Sequence, residues 1–417
     1  MLDTIIKNGT VVTQNNKREI SNINIGIKGG KIEKLSNDCI QARTVIDASN
    51  YIITPAYLNG HIHFGEYYLR GYKGKLTTED YIRLGEKFYN VFVNEFDEIR
   101  DSSINNVLCE SVQNGTLTVF GVRGWPNVQK FGVNAYLGYP VMHSKKLSGY
   151  IDNLEEGFNN LKKEKNVEYF LGLHSLKWMN EEDIKTVMHF LNSHKDIKIS
   201  LHACETKEEV IYFTQKYGVS PIKILNRLGL LTENTLLVHC NYLNTEDIEI
   251  IKQSKASVAV CHCSNLKLGN VPCDINMLLK CGINVMIATD GPATSDSLSL
   301  LDAIKVTALI SNIDLQRLYD MITINPAKYM KISTGSIEVG NMADILFYNK
   351  NSLNITYKNS ILENLVYLSN NKPCKVMKDG VFIINDYKFN NGIEKMILNK
   401  KNRIIDLIEN KLNVLNC

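Results

Sequence analysis

"NGHIHFGEYYLRG", residues 59–71, follows an apolar run, "YIITPAYL" (51–58), and sets His61 and His63 two positions apart. Alternate residues of a strand share one face, so both imidazoles project to the same side of a strand end. In a chain with nine histidines, this raises the question of what else stands at that level. Seven later stretches read as strands: "LTVFGV" (117–122), "NAYLGYPVM" (134–142), "EYFLGLHS" (168–175), "KISLHAC" (198–204), "TLLVHC" (235–240), "SVAVCH" (257–262) and "NVMIATD" (284–290). Most are near-continuous apolar runs, the pattern of parallel strands covered on both faces. Helical patterns such as "EEDIKTVMHFLNSH", "TEDIEIIKQS" and "LSLLDAIKVTALISN" fill the gaps. Eight strands with crossovers predict an α/β fold, a (β/α)₈ TIM barrel. An open doubly wound sheet is the rival, and the count of eight favours closure. The second-to-third connection, "RGWPNVQKFGV", is short for a full crossover helix.

Outside the barrel, residues 1–54 and 334–390 show short alternating segments punctuated by Gly and Asn, which is hairpin chemistry. Neither piece is long enough to stand alone. We expect them to form one small β-sandwich domain built from both chain ends, around a barrel spanning 55–333. Residues 391–417 read as an amphipathic C-terminal helix that packs on the barrel or on a neighbouring subunit. Acids mixed into its polar face argue against a membrane-surface role.

Composition narrows the function classes. The 417 residues are 44% hydrophobic and 22% charged, with a net charge of +3. The basic residues are scattered, which gives no argument for a nucleic-acid partner. No apolar run reaches membrane-spanning length. The start "MLDTIIKNGTVV" carries acid early and is no signal peptide. With ten cysteines and no secretion signal, the expectation is a cytoplasmic protein with reduced thiols.

The polar residues fall at strand ends. His61 and His63 close the first strand, His202 the fifth, His239 the sixth and Asp290 the eighth. In a parallel barrel these ends open on one face, where active sites lie. Three or four imidazoles and a carboxylate around one point form a ligand set for a divalent metal, zinc first and iron(II) second. One strand histidine is more often a satisfied core residue than a ligand. Five such residues at four strand ends are not explained that way. Glu205, three residues after His202, leaves the fifth strand and can reach over the metal, where a carboxylate can shuttle a proton. The bland alternative is a solvated glutamate opening the helix "KEEVIYFTQKYG". Cys204 and Cys240 follow site histidines and read as core thiols. A second metal at Cys261, His262 and Cys263 is a minor option.

The ordered series "IIKNGTVVT", "TPAYLNGHIHF", "LHACET", "LLVHCNYL", "CSNLKLG", "ATDGPATSDSLSL", "TINPAKYM" and "GSIEVGNMADILFYN" resembles the amidohydrolase superfamily. The branch it is most similar to holds guanine deaminase, the methylthioadenosine/S-adenosylhomocysteine deaminases and the triazine hydrolases. The resemblance spans nearly the whole chain. It implies that His61, His63, His202 and Asp290 bind one metal. His239 would orient an attacking metal-bound hydroxide, Asp290 would accept its proton, and Glu205 would protonate a ring nitrogen and help the amine leave. No lysine ends the fourth strand; His174 stands there, which favours one metal over two. The implied activity is hydrolytic deamination of an aminated heterocycle (purine-, pyrimidine- or pterin-like) by a homodimer. Alternatives are hydrolysis of a cyclic amide, an imidate or a halogenated ring, and a metal-binding scaffold without catalysis.

Departures from the nucleoside-type relatives bear on the substrate. "HSLKW" replaces their His-Ala/Ser-Pro-Tyr, Asn134 stands for an arginine heading strand three, and His262 replaces a proline. These changes point away from adenosine-like substrates. His174 remains a candidate substrate contact, and Arg123 a stand-in for the missing arginine. Glu66 occupies the place of a base-contacting glutamine of guanine deaminases. It either accepts a substrate N–H or pairs with Arg70, itself a candidate contact. Trp125 either stacks on the ring or caps the barrel.

Overall fold

The computed structural model describes the chain except for residues 39–40, 72–73, 75, 123–127, 142–150, 162–164, 353–359, 369–371 and 417. The seven later runs are parallel strands of one sheet, and the first run divides at Ala56: Tyr51–Pro55 joins another sheet, while Tyr57–His63 opens the barrel. The barrel strands are β1 (Tyr57–His63), β2 (Thr116–Val122), β3 (Asn134–Pro140), β4 (Val167–His174), β5 (Ile199–Ala203), β6 (Thr235–His239), β7 (Ser257–Val260) and β8 (Val285–Ile287). Each pairs with its sequence neighbour. An Ile62–Asp290 bridge, with the Asp290 N–H donating to the His61 carbonyl at 3.2 Å, joins the last strand to the first. The sheet is thus a TIM-like barrel rather than an open doubly wound sheet.

Two concentric cores explain why the strands read as unbroken apolar runs. Leu58, Phe120, Tyr136, Phe170, Leu236, Val238, Ala259 and Met286 fill the barrel interior. Phe120 and Phe170 stack there with ring centroids 3.9 Å apart. The opposite faces pack against the surrounding helices in a larger apolar layer. A strand wetted on neither face carries no polar alternation. Between β2 and β3 the described residues hold a single 3₁₀ turn, Val128–Phe131, as the short connection implied. The helices expected within 181–194, 245–254 and 298–312 form over Glu181–Ser193, Thr245–Ser254 and Leu300–Ser311, the first two opened by capping boxes at Asn180/Asp183 and Asn244/Asp247.

Two further sheets pack face to face. One is four-stranded, in the order Lys31–Ser36, Asn24–Lys28, Leu2–Lys7, Ala42–Asp47. The other joins Thr10–Val12, Ile20–Ser21 and Tyr51–Pro55 to Ile345–Asn349, Lys375–Lys378, Val381–Asn385 and Lys388–Phe389. Ile6, Ile25 and Ile27 of the first meet Val11, Ile53, Ile345 and Phe347 of the second in one core.

Three helices bear on the site region: α1 (Thr78–Val91), α2 (Phe96–Gln113) and α3 (Ile393–Asn416). The terminal helix α3 lays Ile404 and Ile408 against Leu84, Phe88 and Phe92 of the same chain. Among the two partners expected for it, this apolar face takes the barrel's own helices.

Candidate active site

The C-terminal mouth of the barrel gathers the polar strand ends. In β1 the pairing slips between Asn59 and Ile62, so that Leu58 lies in the interior while His61 and His63 both reach the mouth. Gly60 is required at this slip, because a Cβ there would collide with the Met286 sulfur. His61 Nε2 lies 3.2 Å from His63 Nε2 and 3.3 Å from His202 Nε2. Asp290 Oδ1 is 3.4 Å from His61 Nε2 and 3.3 Å from His63 Nε2. His61, His202 and Asp290 are buried.

These spacings test the metal. A tetrahedral ion with bonds of about 2.0–2.1 Å holds its donors about 3.3–3.4 Å apart. The separations within His61, His63 and Asp290, and that from His61 to His202, are close to those edges, while His202 groups with His61 and His239 within 4.8 Å. Burial lowers His61 to about 4, and lowers His202 well below the ordinary imidazole range, with neighbouring imidazoles adding to the effect. Both rings are thus biased toward their neutral forms. One ring nitrogen makes one hydrogen bond, yet three donor atoms crowd around His61 Nε2. A cation resolves that arrangement, and the residues fit one. Burial opposes ionisation of Asp290, but its contacts with His61 and His63 hold the carboxyl well below its usual range. Ser264 Oγ donates to Asp290 Oδ2 at 2.5 Å and Thr294 Oγ1 at 3.3 Å, leaving Oδ1 to the imidazoles.

Around this cluster stand the proton-handling groups. Val238 and Leu236 point into the barrel, so strand parity alone would turn His239 outward. Its φ of +74° turns it back, and its ring stacks 5.1 Å from that of His202. His174, Cys204, Cys240 and Asp290 also hold left-handed φ at this mouth. Such strain in non-glycine residues concentrates at functional sites. Glu205 Oε2 is 3.8 Å from His239 Nε2. Burial raises the Glu205 carboxyl above the ordinary range, Asp290 adds to this, and His239 opposes it. The Thr78 hydroxyl of α1 hydrogen-bonds that carboxyl. Glu205 is thus folded against the cluster and is not the solvated helix opener of the bland reading.

The remaining candidates separate. Glu66 accepts a short hydrogen bond from Tyr81 of α1. Its carboxylate lies beside Gly291, next to Asp290, where a Cβ would strike it. Arg70 does not pair with Glu66; it grips both oxygens of Glu110 on α2, at 2.7 and 2.8 Å. That bidentate pair and the Pro292 carbonyl at 3.4 Å engage the guanidinium in structure. His174 sits at the rim, its ring 4.7 Å from that of His202. Arg123 and Trp125 lie outside the described residues. Asn134 begins β3 and contacts Thr118 at the far end of the barrel, so it marks no substrate contact. His262 spends Nδ1 on Thr307 and Nε2 on the Cys273 carbonyl, which removes it as a ligand of a second metal. Cys204 and Cys240 lie in the outer apolar layer, as core thiols. Cys261 instead faces the interior, its sulfur within 4.8 Å of His239 and Asp290 donor atoms.

Sequence reasoning did not assign Ser264, Asn265, Asn241, Thr294 or Glu209. Ser264 and Asn265 stand in "CSNLKLG", and Thr206-x-x-Glu209 has capping-box spacing; these were the available signals. Glu209 is buried, accepts the Glu205 N–H at 2.9 Å and the Ser175 hydroxyl at 3.2 Å, and is lifted by burial to about 7.

The model of the amidohydrolase family matches residues 52–383. The chain belongs to that family. It is 29% identical over 389 residues to a 5-methylthioadenosine/S-adenosylhomocysteine deaminase of Caldicellulosiruptor saccharolyticus, covering 88% of this chain and 90% of the relative. An adenosine deaminase from Xanthomonas campestris with bound zinc superposes with a TM-score of 0.86 at 19% identity, over 97% of this chain and 99% of the other. An atrazine chlorohydrolase from Arthrobacter aurescens TC1 complexed with zinc gives 0.85 at 17% identity, over 95% and 99%. At these identities the two structures attest the fold. Among the described residues of this amidohydrolase, no helix is long and apolar enough to cross a membrane.

Proposed function

We propose that this amidohydrolase is a mononuclear metal-dependent deaminase that hydrolyses an aminated heterocycle and releases ammonia. The observation that carries the reading is Glu205: a half-buried carboxyl, raised in pKa, set 3.8 Å from His239 Nε2 beside the proposed ligand cluster. His61, His63, His202 and Asp290 Oδ1 hold the ion, zinc in the first place and iron(II) in the second. When bound, the ion supplies Lewis acidity and lowers the pKa of water to about 7.

The chain's own groups then divide the work. His239 accepts a hydrogen bond from the attacking water and orients it toward the ring carbon. Asp290 takes the proton the water loses. Glu205, its carboxyl raised above the ordinary range by burial, donates a proton to the adjacent ring nitrogen as the C–O bond forms. The proton held by Asp290 is then delivered to the amino group, the C–N bond breaks as the new hydroxyl returns its proton to Glu205, and ammonia leaves an unopened ring with a carbonyl in its place. Plain amide hydrolysis has no ring nitrogen to protonate, which is why Glu205 favours deamination. Glu66 and His174 line the rim where the substrate enters, and Arg70 serves the scaffold.

The relatives' names favour a purine ring, adenosine-type nucleosides included, although "HSLKW" and His262 depart from the nucleoside-type pattern. A cytoplasmic setting suits the described cysteines, all of them free thiols; a homodimer is part of the same proposal. The second reading, displacement on a halogenated ring, would use the same donor cluster and the same neighbouring groups. Ammonia release across aminopurines, aminopyrimidines, pterins and nucleosides, with Glu205→Gln as the blank, tests the first. Ammonia from one ring class, lost in the variant with metal retained, supports it. Halide or ring-opened product without ammonia overturns it.

A further inference from the structure

We propose that Asn265 and Asn241 act as positioning residues, forming an amide relay that fixes the tautomer of His239 and ties that ring to the backbone of Glu205. The significance of this for catalysis rests on the deaminase reading, but the relay itself is a matter of hydrogen-bond direction.

The direction starts at a backbone carbonyl. The Glu205 C=O can only accept, and the Asn241 side chain meets it through Nδ2 at 2.9 Å. Asn241 therefore turns its Oδ1 the other way, where it accepts from Asn265 Nδ2 at 2.7 Å. Asn265 is thereby left presenting Oδ1 to His239 Nδ1, at 3.0 Å. An amide oxygen has no proton to give, so Nδ1 carries the proton. In the neutral ring, His239 Nε2 is then the unprotonated nitrogen, and it faces Glu205 Oε2 and the proposed metal cluster. Reversing any one amide would set oxygen against oxygen or N–H against N–H along the whole series. His239, Asn241 and Asn265 are all buried, at 2%, 8% and 0% exposure, so water offers no easy substitute.

The relay also holds the acid. The Glu205 N–H donates to Glu209 Oε2 at 2.9 Å, while its C=O takes the Asn241 amide. Both polar groups of one residue's backbone are thus held by buried or nearly buried side chains, one from each side. Glu209 is in turn held by Ser175. His239 needs such restraint, since its φ of +74° is unfavourable for a residue with a Cβ. In contrast, Nδ1 of His61 and of His202 makes no hydrogen bond among the described residues, so those rings are oriented from the cluster side.

The test is the tautomer itself. Long-range proton–nitrogen correlation spectra of the zinc-loaded protein, labelled with ¹⁵N-histidine, distinguish a protonated Nδ1 from a protonated Nε2. The expected wild-type result is Nδ1–H at His239, identified by its absence in His239→Gln. Asn265→Ala removes the acceptor and should lose that signature, with zinc content and circular dichroism unchanged and kcat lowered on the order of 100-fold or more while KM moves little. Asn265→Asp keeps an acceptor at Nδ1 and should retain the signature and recover part of kcat. Nε2–H in the wild type overturns the proposal even if Asn265→Ala does not fold. A wild-type signature unchanged in a folded Asn265→Ala overturns it too. Nδ1–H in a wild type that releases no ammonia from any ring would uphold the relay and sink the deaminase reading instead.

Discussion

Ser264→Ala is the sharpest perturbation of the proposed metal cluster, because it replaces no proposed ligand and acts only through the oxygen of Asp290 that faces away from the imidazoles. Asp290 divides its oxygens: Oδ1 faces His61 and His63, and Oδ2 receives Ser264 at 2.5 Å and Thr294 at 3.3 Å. The Ser264 contact has the length of a hydroxyl–carboxylate bond, the stronger class. Removing such a bond to a buried charge costs about 1.5–3 kcal/mol. Thr294 offsets part of this by closing on the freed oxygen, and some of the rest falls on stability rather than on the ion. At about 1.4 kcal/mol per factor of ten, zinc affinity should fall about 10- to 100-fold. Competition against a chromophoric chelator at neutral pH measures this without any knowledge of the substrate, and a melting curve checks that the variant is folded. Affinity within about threefold of wild type, below a third of the smallest expected effect, would refute the argument that the hydroxyls hold Asp290 for the ion.

Other outcomes follow from the remaining contacts. Between about 4.5 and 7, folded Glu209 keeps a proton that the unfolded chain has released, so stability falls as pH rises through that window, by about 3 kcal/mol in all; Glu209→Gln should flatten this slope in urea unfolding at several pH values, and equal slopes would contradict the burial argument. Glu66→Gln should raise KM about tenfold or more with a smaller change in kcat if the carboxylate receives a substrate N–H, and an unchanged KM in steady-state kinetics would assign Glu66 to Tyr81 alone. Arg70→Met should lower unfolding free energy by about 1–3 kcal/mol, by leaving Glu110 unpaired, while KM stays put; a selective KM effect would restore Arg70 to the substrate pocket.

What the sequence disclosed, and what it hid, divides along the range of the interactions involved. The barrel strands are legible because each is buried on both faces, and double burial writes an uninterrupted apolar run. The convergence of the candidate ligands is legible because period two at a strand end puts His61 and His63 on one side, and because parallel strands end at one mouth. His239 is placed at that mouth by its position, but its inward aim is not in the pattern: Leu236 and Val238 take the interior parity, and a left-handed backbone at His239 reverses it. No local composition marks a histidine for that conformation. Arg70 and Glu66 lie four apart and invite pairing, yet each is claimed by a residue from another element, Glu110 and Tyr81. Ser264 and Asn265 stand in plain view, but their tasks depend on where Asp290 and Asn241 arrive from 26 and 24 residues away. Periodicity can place a side chain on a face; it cannot name the partner another strand brings to it. The metal cluster needs only the first kind of information, since its ligands converge because strand ends converge. Ring selectivity needs the second kind. It depends on what α1 and the loops carry over the mouth, where Thr78 meets Glu205 and Tyr81 meets Glu66. Chains with the same ligands can therefore serve different rings, and the contacts of that first helix are where this one should be altered to change its substrate.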